Sequence, residues 1–106
     1  MRNKRLKKMV LKNFTNLEKA AKKIGKSWDK NTLPLITIDE MINTIYFKTD
    51  EKDLQKFKTD YNNVLDTLKK TLKNKAKEMR TKSISIEYLS IAINIIKDGF
   101  AKGLNG

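Results

Sequence analysis

Apolar residues recur at three- and four-residue steps along most of this chain, and that spacing commits it to helices. Leu6, Val10, Phe14, Leu17, Ala21 and Ile24 form one stripe, with lysines on the remaining faces, the pattern of an amphipathic helix that buries one side. A longer stripe runs through Leu54, Phe57, Tyr61, Val64, Leu65, Leu68, Leu72, Ala76 and Met79 and predicts a helix of about 30 residues. Between them, Thr37-Ile38-Asp39-Glu40 fits a capping box that opens a short helix through Met41, Ile42, Ile45 and Tyr46. Near the end, Ser85 is a candidate N-cap, with Glu87 in the first turn of a helix from Ile86 to about Phe100. The expected class is all-α, about four helices with a long central third helix.

Punctuation between the stripes sets the organisation. Gly25 reads as the C-cap of the first helix because glycine takes positive φ without a steric penalty. Residues 26–36 hold Ser27, Asn31 and the only proline, Pro34, and read as a connector with Trp28 folded onto the core. Thr49 or Asp50 restarts the chain as an N-cap, with Asp50, Glu51 and Asp53 favourable near a helix N-terminus. Thr81–Ile86 alternates polar and apolar residues and interrupts the helical pattern. Gly99 and Gly103 are expected to end the last helix. One domain spans 1–106: a basic amphipathic helix over 1–25, the connector 26–36, and a helical core over 37–106. No internal repeat is legible. The last helix is apolar on more than one face (Leu89, Ala92, Ile93 and Ile96, with Tyr88, Ile91 and Ile95 beside them), which predicts a central position or a homodimer interface.

Several function classes drop out on residue types alone. The chain has no cysteine and no histidine, so disulfides, thiolate chemistry, the commonest zinc ligands and the commonest general base are absent. No spacing of carboxylates or hydroxyls suggests catalysis, a cofactor or a metal. Asp39, Glu40, Asp50, Glu51 and Asp53 sit near predicted helix starts, where capping accounts for them. No run approaches the ~20 apolar residues of a membrane span, and a cytoplasmic, reducing compartment is the expectation.

Charge is segregated. Residues 1–30 carry eleven Lys/Arg against Glu18 and Asp29, and residues 69–82 carry seven against Glu78. The stretch 31–68 is mildly acidic at −3, while the whole chain stands at +12. Such a balance speaks for an acidic partner. The first block includes Arg2, Lys4, Arg5, Lys7, Lys8, Lys12, Lys19, Lys22, Lys23 and Lys26. In the second, Lys69, Lys70, Lys73, Lys77 and Arg80 share one face of the long helix, with Lys82 beyond it. Lysine attracts phosphates as a point charge, whereas base edges are usually read by Arg, Asn or Gln. With three arginines in the chain, sequence-tolerant contact with duplex DNA is the expected mode. The candidate DNA-binding residues are Arg2, Lys4, Arg5, Lys8, Lys12, Lys48, Lys69, Lys70, Lys73, Lys77, Arg80 and Lys82. Tyr46 and Tyr61 lie on core stripes, which argues against base stacking.

Residues 36–100 resemble the histone fold. The stretch Lys82-Ser83-Ile84-x-x-Glu87-x-Leu89-x-Ile91-Ala92-Ile93 follows that family's second loop and third helix. Phe57, Tyr61, Val64, Leu68, Leu72, Ala76 and Met79 fall where its long central helix buries side chains. Ile38–Tyr46 would be its short first helix and Lys48–Asp50 its first loop. The resemblance implies a handshake dimer on duplex DNA, contacted by Lys48, Arg80 and Lys82. Thr81, Tyr88 and Arg80 stand where the family carries an arginine, its acidic partner and a glycine. Two arrangements are therefore expected, histone-fold-like or an ordinary four-helix bundle. The expected function is a small basic DNA-binding protein, histone-like or an accessory factor of a mobile element. The alternative is a non-enzymatic bundle that binds a protein or an anionic membrane, such as a bacteriocin immunity protein or a phage-encoded inhibitor, similar in size and composition.

Overall fold

The computed structural model describes the backbone of residues 2–105 and the side chains of residues 4–103. Four helices, α1 (Arg2–Ser27), α2 (Leu35–Asn43), α3 (Gln55–Glu78) and α4 (Ile86–Asn105), carry the fold, as the stripes predict. Two three-residue strands, β1 (Thr32–Pro34) and β2 (Ser83–Ser85), and a 3₁₀ turn at Lys52–Leu54 complete it. The first stripe is buried at Val10, Phe14, Leu17 and Ala21, and the second at Tyr61, Leu65, Leu68, Leu72 and Ala76. Both helices pack on α4, which contributes Leu89, Ala92, Ile93 and Phe100. Full burial of a large apolar side chain contributes about 1.5–3 kcal/mol, so α1 is a wall of the core rather than an appended arm. The far half of the core is aromatic: Phe100 lies 6.5 Å from Phe14, 6.1 Å from Phe57 and 5.8 Å from Tyr61 between ring centres.

Several boundaries differ from the sequence reading. At 26 residues α1 is the longest helix, and α3 has 24 rather than about 30. The 3₁₀ turn tightens the start of the long segment, and Arg80, at φ 53°, ends it. The capping box at Thr37 does not form, because α2 begins two residues earlier at Leu35, directly after Pro34 with φ −58°. Proline's fixed φ and missing N–H suit a position just ahead of a helix. Ser85 does cap α4: its hydroxyl accepts from the Tyr88 N–H at 3.1 Å. Gly99 and Gly103 do not stop α4; neither has positive φ, and both lie within it. The apolar excess of α4 is largely taken up between α1 and α3, leaving Ile91 and Ile95 exposed. Trp28 and Met79, both assigned to the core from the pattern, are exposed at 49% and 61%.

The connector conceals a repeat that the residues do not announce. At the end of α1, the Lys30 N–H donates to Gly25 C=O and the Asp29 N–H to Lys26 C=O. At the end of α3, the Thr81 N–H donates to Ala76 C=O and the Arg80 N–H to Lys77 C=O. These are two Schellman motifs related by a shift of 51 residues, with Asp29 and Arg80 both left-handed at φ 52° and 53°. The same shift carries β1 onto β2, α2 onto α4, and Val10, Phe14, Leu17 and Ala21 onto Tyr61, Leu65, Leu68 and Leu72. The strands pair antiparallel about Leu33 and Ile84. The Leu35 N–H donates to Lys82 C=O and the Ile86 N–H to Asn31 C=O, both at 2.8 Å. The molecule is thus two helix–turn–strand–helix units about an internal approximate dyad that passes through the ribbon.

Gly25 has a packing role instead of the expected capping one. A Cβ there would stand 2.0 Å from Ile86 Cδ1 and 3.1 Å from the Lys30 carbonyl oxygen. The missing side chain lets the end of α1 and the start of α4 approach with Ile86 in its present position.

Candidate nucleic-acid interface

Because α1 and α3 both run toward the ribbon, their lysine-rich C-terminal turns arrive at the same end of the molecule. Lysine near a helix C-terminus complements the helix dipole, which explains part of this placement locally. The ribbon does the rest by holding the two helix ends side by side. Two clefts flank it. Lys22, Lys26 and Lys30 line the first, with Gly25, Asp29 and Ile86, around about 250 Å³. Lys73, Lys77 and Lys82 line the second, with Ala76, Leu35 and Asp39, around about 560 Å³. The dyad relates Lys22 to Lys73, Lys26 to Lys77, Gly25 to Ala76 and Ile86 to Leu35, so the clefts share a frame, while the third lysine differs: Lys30 corresponds to Thr81 and Lys82 to Asn31. Each sets three lysines against one aspartate.

All six lysines are exposed. Lys22 holds Glu18 at 3.0 Å, an exposed pair of small energetic weight. In the second cleft, Asp39 Oδ1 is buried and has no hydrogen-bond partner.

Behind the clefts the two units are cross-braced at equivalent positions. The Asn94 side chain donates to Glu18 at 3.3 Å, and the Ser90 hydroxyl also donates to Glu18. Across the dyad, Lys69 donates to the Asn43 side-chain oxygen and lies 5.2 Å from the centre of the Tyr46 ring. The Ser90 hydrogen bond is the main reason the Glu18 carboxyl titrates below its usual range, with Lys22 and Asn94 adding to it against partial burial. Burial, then the Asp66 carboxylate that accepts its hydroxyl at 2.5 Å, pushes the Tyr46 phenol up to about 12. Tyr61 is buried, which raises its pKa, and it donates to the Ile45 carbonyl at 2.8 Å. Both hydroxyls are thus engaged within the fold, Tyr61 in the buried core and Tyr46 half-buried just beyond α2.

The structure divides the candidate residues into three groups. Lys73, Lys77 and Lys82 line a cleft, and Arg80 projects from the turn between them; Lys70 is exposed about 10 Å up α3 from Lys77 at 1.5 Å per residue. Lys69 is half-buried and donates to Asn43 of α2. Lys4, Arg5, Lys8 and Lys12 are exposed but lie about 21–33 Å along α1 from Lys26. The side chain of Arg2 lies outside the described residues. Lys48 is also remote: its neighbour Phe47 donates its backbone N–H to Asn62 at 2.9 Å, and Asn62 precedes Arg80 on α3 by about 27 Å of helix. Lys22, Lys26 and Lys30 complete the cluster and were not selected from the sequence. Only the pairing of the two turns brings them to Lys73, Lys77 and Lys82.

Helix–loop–helix units can also hold calcium, when a 12-residue loop supplies carboxylate and carbonyl oxygens. Here the loops, residues 28–34 and 79–85, are seven residues long and contain one carboxylate between them, Asp29. Among the described residues no group of three or more acidic side chains is placed to hold a metal ion, and no helix is long and apolar enough to cross a membrane. The chain matches no family model, and no curated protein or solved structure is significantly similar to it.

Proposed function

We propose that this is a small non-enzymatic DNA-binding protein that engages duplex DNA through lysine contacts to the phosphate backbone, with low sequence specificity. One observation carries the reading: lysines from two blocks far apart in sequence line equivalent clefts on either side of one ribbon. Arg80 supports it independently. An arginine at φ 53° occupies a backbone position that glycine fills more cheaply, and strained positions of this kind concentrate at functional sites. A histone-like or mobile-element accessory role is the finer form of the same proposal.

The test is fluorescence anisotropy with a labelled duplex at 50 and 200 mM salt. Six phosphate contacts give a log–log salt slope of about −5, and hence a loss of roughly 10³ in affinity across that range. Binding that ignores salt, or no binding at 50 mM, would sink the reading. A second reading, a bundle docking on a protein or on its own copy, is favoured by Ile91 and Ile95, 50% and 66% exposed one turn apart on α4. Failure to bind duplex would turn attention to that face.

A further inference from the structure

Building on the DNA-binding reading, we propose that the internal dyad is the recognition device: each cleft takes the backbone of one strand, so the protein requires a duplex. Three observations converge on this. First, the clefts share a dyad-related frame, since Lys22, Lys26, Gly25 and Ile86 recur as Lys73, Lys77, Ala76 and Leu35 under one shift, and each is completed by a third lysine, Lys30 or Lys82, from a position of its own. Second, the ribbon joining them is closed by two reciprocal backbone hydrogen bonds at 2.8 Å, which fixes the clefts relative to each other. Third, the duplex backbone has a matching symmetry. Its two strands are antiparallel and related by local dyads perpendicular to the axis, so a phosphate contact made by Lys22 or Lys26 has a counterpart available to Lys73 or Lys77. A single strand has no such relation and can fill only one cleft in a given orientation.

Size is compatible with this mode. The molecule measures 43 × 25 × 24 Å, and α1 and α3 run toward the ribbon end. A face about 25 Å across covers roughly seven base pairs at 3.4 Å per step. Six lysines over such a footprint suffice for three phosphates on each strand. The two aspartates, Asp29 in the first cleft and Asp39 in the second, oppose close approach of phosphate at one point in each, which favours contact along the rim formed by the lysines.

The experiment compares the full chain with two variants, Lys22/Lys26/Lys30→Gln and Lys73/Lys77/Lys82→Gln. Each is titrated with a 16-base-pair duplex and with one of its strands, over 50–200 mM salt. All six side chains are exposed, and circular dichroism checks that the helices persist. The expected result is symmetric: either variant lowers the magnitude of the duplex slope from about 5 to about 3, because three contacts account for about 2.7. The unmodified protein gives the single strand a slope near −2, at ~0.7 per contact, and neither variant improves it. A variant pair in which one set abolishes binding and the other leaves it unchanged would overturn the dyad while leaving DNA binding intact. Equal slopes for single strand and duplex would overturn it in the same way. No binding of either probe at 50 mM would remove the underlying DNA-binding reading itself.

Discussion

The turn after α1 and the turn after α3 make the same two backbone hydrogen bonds, yet they are built from different residues. Asp29 holds the left-handed position in the first and Arg80 in the second. Gly25 accepts the longer-range bond in the first and Ala76 in the second. The exposed residue just before the left-handed one is Trp28 in one unit and Met79 in the other. What is held in common is the burial pattern and the reach of the backbone. Both units need a Schellman turn, one apolar residue in the ribbon and an apolar stripe on either side, and many side chains satisfy that. The units differ where they meet their partners. The end of α1 comes so close to α4 that a Cβ at Gly25 would have to displace the tip of Ile86 and crowd the Lys30 carbonyl, whereas the end of α3 meets Leu35 with an alanine in place.

The strongest test of the comparison is in the core, at the equivalent positions Phe14 and Leu65, both fully buried. Phe14 meets Tyr61 edge-on at 5.8 Å and 82° between ring planes. Phe14→Ala should lower stability by about 3–5 kcal/mol, and Leu65→Ala by about 2–5 kcal/mol. Urea denaturation followed by circular dichroism measures both. A loss under ~1 kcal/mol for Phe14→Ala would mean that α1 is an arm on a core complete without it, and the two units would not be equivalent.

A smaller effect separates the two turns. Gly25→Ala forces a methyl group against Ile86 and the Lys30 carbonyl, and overpacking of this kind costs about 1–3 kcal/mol. Trimming the obstruction with Ile86→Val in the same chain should return part of that loss. Ala76→Gly, at the matching place, should cost about 1–2 kcal/mol through backbone entropy and the loss of a buried methyl, with no rescue from changing Leu35. If Gly25→Ala instead raised the melting temperature, the close approach of α1 to α4 would be refuted.

These pairs also show why the repeat is silent in the sequence. The helical stripes were readable because burial demands apolar residues at fixed spacing, so Val10, Phe14, Leu17 and Ala21 declare α1, and Tyr61, Leu65, Leu68 and Leu72 declare α3. Ser85 was readable as a cap because its hydroxyl has a specific task. The ribbon was not, since Thr32-Leu33-Pro34 contains a single alternation and a proline, and its strength lies in antiparallel pairing with Ser83-Ile84-Ser85, some fifty residues away. Left-handed turn positions announce themselves when they hold glycine; Asp29 and Arg80 do not. The candidate site was half legible for the same reason. Lys73, Lys77 and Lys82 form a visible block, but choosing Lys22, Lys26 and Lys30 over Lys4, Arg5, Lys8 and Lys12 requires knowing which end of α1 meets the ribbon. Trp28 was misassigned because large apolar residues in short connectors usually turn inward, and here the Schellman turn directs it outward.

The smallest effect is the most diagnostic, because one substitution made at two equivalent positions should move stability in one direction and binding in two. Glycine relieves the left-handed strain at either turn. Arg80→Gly should gain about 0.5–1 kcal/mol; Asp29→Gly should gain less, since aspartate tolerates that conformation better than a long side chain does. Binding should split. Arg80→Gly removes a cation from the edge of the second cleft, so duplex affinity should fall and the salt slope shrink by about 0.9. Asp29→Gly removes the carboxylate of the first cleft, so affinity should rise at 50 mM salt and the advantage should fade at 200 mM as screening shortens the reach of the charge. Thermal denaturation and anisotropy on the same two preparations read both quantities. If Arg80→Gly stabilised the fold and left the salt slope untouched, the strained arginine would be solvated, and its exposure would owe nothing to DNA. If both variants bound duplex more tightly, the contact would follow the backbone of the turns rather than the charges on them, and the lysine clefts would lose their role.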